Sequence, residues 1–147
     1  MSPSDDKLRN KIRLYGIDCP EHGQAFGNRA GQAISDAVFG KIVSVQPVGE
    51  IDHYGRTVGI ISVPDDESYY EYSWAVQSSL PIPDDLNSLL VREGMAWVDP
   101  QLCDDEFTCN ELNMLEKAAR IEKRGLWADK NPVPPWEWRK NNRMEAQ

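Results

Sequence analysis

The 147-residue sequence has no long hydrophobic run and few histidines or cysteines, and each shortage argues against a class of protein. No stretch approaches the roughly 18 consecutive apolar residues that a transmembrane helix needs, so a membrane-spanning protein is not predicted. The first residues, Met1–Asp6, are polar and lack the apolar region of a secretory signal peptide. His22 and His53 do not lie at zinc-ligand spacing from the cysteines, so a zinc site is not predicted either.

Positive charge is also scarce. The sequence has 16 Lys and Arg residues against 24 Asp and Glu residues, and its formal net charge is −8. Proteins that bind nucleic acids over a broad surface are usually basic, because neutralising phosphates and releasing counterions supplies much of the affinity. The composition therefore argues against tight, indiscriminate binding of nucleic acids. It leaves open a small site in which a few arginines concentrate positive potential.

The three cysteines allow two interpretations. Cys103 and Cys109 lie on either side of an acidic loop, whereas Cys19 is far away in the sequence, next to Asp18. All three could be free thiols. Alternatively, Cys103 and Cys109 form a local disulfide, which would imply an oxidising compartment.

Hydrophobic periodicity predicts one α+β domain. Alternating or β-branched patterns predict strands at residues 11–15, 42–48 and 56–63. Apolar residues at helical spacing, each series followed by a glycine, predict helices at residues 28–39, 86–93 and 110–124. The order strand, helix, strand, strand, helix, helix contains no repeated βαβ unit and therefore favours α+β over a doubly wound sheet.

Two segments lie outside this simple order. Residues 64–85 combine acidic residues and prolines with an aromatic run from Tyr69 to Trp74, and they are predicted to form an additional strand or hairpin. Its aromatic side chains could bind bases or cover a hydrophobic surface. Residues 131–140 are rich in proline and tryptophan and are predicted to pack on the domain as an extended strap.

One set of charged residues is suited to phosphodiester hydrolysis, which needs a base to activate water and cations to stabilise the charged phosphorus centre. Asp18 and Glu21 are carboxylates three residues apart, on a loop constrained by Pro20. Arg13 lies on the outward face of the preceding strand, Arg56 opens a neighbouring one, and arginine binds phosphate bidentately. Each residue also has an ordinary structural interpretation, as a turn cap or a surface residue, so spacing alone supports the site weakly.

Four motifs, in the same order, resemble those of staphylococcal nuclease-like domains. The first is Ile12–Glu21 and the second is Asp52–Arg56. The third, Leu86–Ala96, resembles a structural helix of these domains. The fourth, Glu116–Trp127, resembles their terminal helix and its end. Four motifs in order make the resemblance specific.

The resemblance covers about residues 11–138 of a single domain at 1–147, with the segment at about 64–85 as an insertion. It implies a five-stranded OB-type β-barrel with three helices. Only twelve residues precede Arg13, so the barrel is expected to be incomplete at its N-terminal hairpin. A fragment, a start codon assigned late and a genuine loss of strands would each explain this. In the family, a further metal-binding aspartate lies on those upstream strands, and Asp5 and Asp6 are poor substitutes.

The resemblance also implies roles for individual residues. Glu21 would be the general base that activates water. Arg13 and Arg56 would bind the phosphate and stabilise its transition state. Asp18 and the backbone carbonyl of Cys19 would ligate Ca²⁺, an oxygen-preferring cation, and would do so weakly if the upstream aspartate is absent.

The implied function is that of a Ca²⁺-dependent endonuclease of the thermonuclease type, hydrolysing single-stranded DNA or RNA, with Tyr54 in contact with a substrate phosphate. The alternative is a catalytically weakened domain that serves as a nucleic-acid or protein interaction module. Open barrel edges would favour a homodimer or strand exchange. No membrane partner is expected, and the full-length protein is expected to be secreted or periplasmic.

Overall fold

A computed structural model describes residues 9–62 and 83–145, and most of the predicted insertion at about 64–85 lies outside these residues. Within them, five short strands and four α-helices form the α+β fold that the sequence predicts. The strands are β1 (Ile12–Leu14), β2 (Ile17–Asp18), β3 (Ser44–Pro47), β4 (Thr57–Ser62) and β5 (Trp97–Val98). The helices are α1 (Gly27–Val38), α2 (Leu86–Arg92), α3 (Glu106–Ile121) and α4 (Pro135–Glu145). None of these helices is long and apolar enough to cross a membrane.

The described strands form two small sheets. The first has the order β1-β4-β3, with β1 parallel to β4 and β3 antiparallel to β4. The second pairs β2 with β5. In the parallel pair Ile12 lies opposite Thr57 and Arg13 opposite Val58. This register brings Arg13 close to the start of β4, which Arg56 immediately precedes.

Helix α2 is the centre of the hydrophobic core. Leu89, Leu90 and Val91 have no exposed surface, although the helix also buries the polar side chains of Asn87 and Arg92. Helices α1 and α3 and strand β4 pack around it. The other buried members of this cluster are Ile17, Ala33, Ala37, Ile61, Leu86, Ala96, Val98 and Leu112.

A buried amide joins α2 to the parallel strand pair. The side chain of Asn87, which is 2% exposed, donates hydrogen bonds to the carbonyls of Tyr15 at 3.0 Å and Gly59 at 3.2 Å. Its oxygen accepts a hydrogen bond from the amide of Ile61 at 3.3 Å. A single side chain thereby connects the end of β1, the middle of β4 and the helix that underlies both.

The ends of α2 and α3 meet at two glycines. A Cβ atom on Gly94 would lie 2.2 Å from the carbonyl oxygen of Arg124, and one on Gly125 would lie 2.3 Å from the carbonyl oxygen of Gly94. Both glycines also have positive φ. The amide of Leu126 donates to the Gly94 carbonyl at 2.9 Å. The glycines that follow the predicted helices at 86–93 and 110–124 are therefore required by close backbone packing as well as by helix termination.

Helix α3 begins at Glu106, four residues before its predicted start. The side chain of Asp105 accepts a hydrogen bond from the amide of Thr108 at 2.9 Å and so caps the helix. Hydrogen bonds from Thr108 hold the pKa of Asp105 below its ordinary value. Cys103 and Cys109 form a disulfide across this helix start, which decides between the two interpretations of the cysteines.

The predicted extended strap at residues 131–140 is wrong from Pro135 onward, where the chain forms α4. Proline suits the first position of a helix, because its missing N–H would have no intrahelical partner there. Pro135 is almost fully buried, and the ring of Trp136 lies 5.8 Å from that of Trp97 in β5. The domain therefore has a fourth helix in addition to the three predicted.

Candidate active site

The first part of the candidate site is the turn between β1 and β2. Gly16 has a φ of 77°, which reverses the chain, and the guanidinium of Arg13 donates to the carbonyl of Ile17 at 2.8 Å. Asp18 follows in β2, where it pairs with Trp97 of β5. The side chain of Asp18 is only 8% exposed, so this carboxylate is held in a largely desolvated position.

The second part is the turn that precedes β4. One carboxylate oxygen of Asp52 accepts hydrogen bonds from the amides of Tyr54 and Arg56, each at 2.9 Å. Its other oxygen accepts from Nε of Arg56 at 2.7 Å. Desolvation opposes the effect, but these hydrogen bonds hold the pKa of Asp52 below its ordinary value. Asp52 therefore sets the direction of the Arg56 side chain through a hydrogen-bonded turn.

The two parts face one cavity of about 350 Å³. The cavity is lined by Arg13, Asp18, Glu21, Tyr54, Arg56 and Arg139. The structure thus gathers the five residues whose side chains the sequence assigned to catalysis, metal binding or substrate contact. Cys19, to which only a backbone role was assigned, is not among the lining residues. Burial and the adjacent Asp18 raise the pKa of the Cys19 thiol to about 12, so the thiol is neutral at physiological pH.

Arg139 in α4 is a site residue that the sequence reasoning missed. It donates from Nη2 to a carboxylate oxygen of Asp18 at 2.7 Å and from Nη1 to Glu21 at 2.5 Å. The hydrogen bond with Asp18, together with that with Glu21, raises the pKa of Arg139 above its already high ordinary value. The sequence signal for this residue is Pro135, because proline is common at the first position of a helix. A helix that begins at Pro135 places Arg139 one turn later.

Gln24 connects the carboxylate loop to the segment that leads into α4. Its side-chain oxygen accepts from the amide of Glu21 at 3.0 Å, and its side-chain nitrogen donates to the carbonyl of Val133 at 2.7 Å. Arg139 therefore reaches the carboxylates on a helix whose first residue is buried and whose preceding segment is hydrogen-bonded to the carboxylate loop.

The cavity is close to neutral in an acidic protein. Three guanidinium groups line it against two carboxylates, and Asp52 pairs with Arg56, so these charges balance, whereas the whole chain has a net charge of −8. Arginine groups on three separate segments can surround an anionic group from several directions. The arrangement is therefore suited to a phosphate group and to a negatively charged transition state.

The described residues do not fit the Ca²⁺ ion that the resemblance implies. Calcium takes six to eight oxygen ligands, and no group of three or more His, Cys, Asp or Glu side chains among the described residues is placed to hold a metal ion. Asp18 and Glu21 supply two carboxylates, both engaged by Arg139.

Residues 11–129 match the family model described as staphylococcal nuclease homologue. The chain belongs to the staphylococcal nuclease family. The matched region contains both turns of the candidate site and ends before α4, so Arg139 lies beyond the part of this nuclease-like domain that the family model covers.

Similar proteins occur in bacteria and plants. The micrococcal nuclease of Shigella flexneri is 38% identical over 130 residues, covering 88% of this nuclease-like chain and 68% of the relative. Protein ParB of Escherichia coli is 37% identical over 150 residues, covering 95% and 73% respectively. The staphylococcal-like nuclease CAN1 of Arabidopsis thaliana is 36% identical over 133 residues, covering 90% of this chain and 34% of the plant protein.

Proposed function

We propose that this chain is an endonuclease that hydrolyses phosphodiester bonds of single-stranded DNA or RNA. The observation that carries the proposal is the shared cavity, in which a carboxylate of Glu21 lies with the guanidinium groups of Arg13 and Arg56. These are the base and the two phosphate-binding cations that the chemistry requires. Membership of the family, and relatives that are named as nucleases, also support the proposal of a nuclease.

In the proposed reaction, Glu21 accepts a proton from a water molecule whose oxygen forms the new bond to phosphorus. Arg13 and Arg56 bind the non-bridging oxygens and offset the negative charge that develops on them. The ester bond to the leaving oxygen then breaks, Arg56 donates a hydrogen bond to that oxygen as it gains negative charge, and the oxygen takes up a proton from solvent. Asp52 holds Arg56 in the required direction through the 2.7 Å hydrogen bond to Nε.

Tyr54 is proposed to contact a neighbouring phosphate of the same strand. Its side chain is at the mouth of the cavity, 74% exposed, and the guanidinium of Arg56 lies 5.3 Å from its ring. A hydroxyl in this position can donate to a phosphate without displacing the arginine that binds the reacting one. Tyr54 is therefore proposed to help position the bound strand.

A requirement for Ca²⁺ is proposed from the family resemblance, with Asp18 and the carbonyl of Cys19 as the ligands. Because the described ligands are too few, no step of the reaction is assigned to the ion. The OB-type barrel, self-association through open sheet edges and a secreted or periplasmic location are proposed on the same resemblance. In the described part of the chain, β1 and β3 form the outer strands of the three-stranded sheet.

The proposal is tested by incubating the protein with single-stranded DNA, and separately with RNA, in the presence of Ca²⁺. Glu21→Gln removes the base without changing the size of the side chain and is expected to slow cleavage by about 10²–10⁴-fold. Glu50→Gln, an exposed carboxylate near the Asp52 turn, is the matched control and is expected to cleave like the wild type. Cleavage unaffected by Glu21→Gln would refute the mechanism.

A second candidate function, the interaction module, is favoured by the engagement of both carboxylates by Arg139. It predicts no cleavage by the wild type with any divalent cation, together with measurable binding to a nucleic acid or protein. The net charge of −8 makes weak binding to nucleic acid the expectation in either case, since the chain as a whole repels a polyanion.

A further inference from the structure

A second cavity, of about 220 Å³, adjoins the cavity of the candidate site. Three pairs of neighbouring residues contribute one member to each cavity. The first residue of each pair lines the second cavity and the other lines the site: Pro20 with Glu21, Trp138 with Arg139 and, across β5 and β2, Trp97 with Asp18. Neighbouring Cα atoms are only about 3.8 Å apart along a chain and about 5 Å apart across paired strands. The two cavities therefore share a wall.

The second cavity is an aromatic pocket. Its lining is mostly apolar and includes the side chains of Phe26, Trp97 and Trp138, and the first and last of these are only partly buried. An apolar cavity of about 150 Å³ accommodates benzene, so about 220 Å³ is enough for a larger flat ring system. Asp129 and Asn131, both exposed, also line the pocket and carry hydrogen-bonding groups. The pocket thus suits a ring with apolar faces and polar edges, which describes a nucleobase.

The backbone of Phe26 is held in an unfavourable conformation at this pocket. Its φ is 67°, in the left-handed region that bulky residues rarely adopt, and such strain is often found at binding sites. The next residue, Gly27, packs so closely on the carboxylate loop that an added Cβ would lie 2.0 Å from the carbonyl oxygen of Glu21. The guanidinium of Arg29 lies 5.3 Å from the Phe26 ring. The loop that carries Glu21 therefore also fixes the aromatic ring and a cation beside it.

The walls of the pocket are held by contacts within the chain. Gln24, a lining residue, joins the amide of Glu21 to the carbonyl of Val133, which also lines the pocket. The ring of Trp97 is supported by that of Trp127, whose centroid lies 4.5 Å away. A pocket whose walls are already in place loses little conformational entropy when a ligand binds.

We propose that the aromatic pocket binds a nucleobase of the strand whose phosphate lies in the site cavity. One sugar joins the base and the phosphate of a nucleotide, so adjoining cavities can hold both. Stacking on aromatic side chains accepts every base, because each base has a π face. It also supplies affinity without positive charge, which an acidic chain of net charge −8 needs. The inference rests on the proposed function for the identity of the strand.

The test measures binding of a short, fluorescently labelled single-stranded DNA by anisotropy, with the Glu21→Gln protein so that the DNA stays intact. The same DNA is prepared with each nucleoside in turn replaced by an abasic site, which removes a base and keeps the phosphates. Removing the base that stacks in the pocket is expected to weaken binding about tenfold, and removing the others is expected to have a smaller effect.

Two variants connect this base to the pocket. Phe26→Leu and Trp138→Leu, each added to Glu21→Gln, keep an apolar side chain and are expected to weaken binding of the intact DNA about tenfold. In these proteins the sensitive abasic site should cause no further loss, because the variant and the abasic site remove the same contact. Phe107→Leu makes the same chemical change at a 72% exposed residue of α3 and is expected to leave binding and its abasic pattern unchanged.

The abasic series on the Glu21→Gln protein needs no change in the pocket and decides the matter even if a pocket variant fails to fold. Equal binding of all the abasic DNAs overturns the inference, as does absence of binding to any of them. An unchanged abasic pattern in folded Phe26→Leu and Trp138→Leu proteins also overturns it. Binding that depends on one base and on the pocket, together with no cleavage by the wild type, would refute the proposed function alone.

Discussion

Replacing Asn87 by alanine tests the connection that holds the two arginine-bearing segments together. Its amide spans β1 and β4 through the carbonyls of Tyr15 and Gly59 and the amide of Ile61. The carbonyl of Gly59 retains the amide of Tyr15 as a donor at 2.9 Å, so the main loss falls on the other two groups. A buried polar group left without its partner costs roughly 1–3 kcal/mol, and a small cavity adds to this. We expect the free energy of unfolding to fall by about 3 kcal/mol.

Urea unfolding monitored by tryptophan fluorescence measures this change through the midpoint, provided that the slope with urea stays constant. Asn113→Ala removes an exposed amide from α3 and is expected to change the free energy of unfolding by less than about 0.5 kcal/mol. A loss below about 1 kcal/mol for Asn87→Ala would show that the parallel strands do not depend on this amide, and that the geometry of the arginine pair has another cause.

Three further predictions concern stability. Gly125→Ala should lower the free energy of unfolding by more than about 2 kcal/mol, because the added Cβ would collide with backbone atoms. In the same urea assay Gly31→Ala should raise the free energy of unfolding by about 0.5–1 kcal/mol, because it lies in α1 with open space around the added Cβ. Reducing the Cys103–Cys109 disulfide, confirmed by a mass gain of two hydrogens, should cost about 2 kcal/mol for so short a loop, and an unchanged melting temperature would contradict this. Burial, and the hydrogen bond that the Tyr15 hydroxyl donates to Asp104 at 2.7 Å, raise the pKa of Tyr15. The stability that the neutral hydroxyl contributes is therefore complete below its ordinary pKa of 10.0 and is lost as the pH rises through the folded pKa. Tyr15→Phe should therefore show a smaller alkaline loss of stability than the wild type.

The segments with strong local signals were predicted with only small boundary errors. Helix α1 was expected at 28–39 and lies at Gly27–Val38, and α2 was expected at 86–93 and lies at Leu86–Arg92. Both have regular apolar spacing and a glycine after the last turn, which are properties of neighbouring residues. The start of α3 was misplaced because the Asp105 cap was not recognised, although its signal is local.

Helix α4 was missed for a different reason. The prolines and tryptophans before Arg139 favoured an extended segment over the helix start that Pro135 also allows, and nothing in their spacing shows that Pro135 is buried. Tertiary packing of Trp136 against Trp97 holds the start of this helix, where the proline and tryptophan residues give little local helical preference. A residue carried by that helix was therefore absent from the predicted site.

The sequence by itself determined the α+β class and named Arg13, Asp18, Glu21, Tyr54 and Arg56 as candidates, because residue type and motif order are local information. The tertiary structure decided that these side chains line one cavity, since that depends on the parallel pairing of β1 with β4 across more than forty residues. It also decided that a cation from the far end of the chain, Arg139, neutralises the carboxylates. Contacts between residues more than a hundred positions apart depend on how helices and strands pack, which a single sequence does not display.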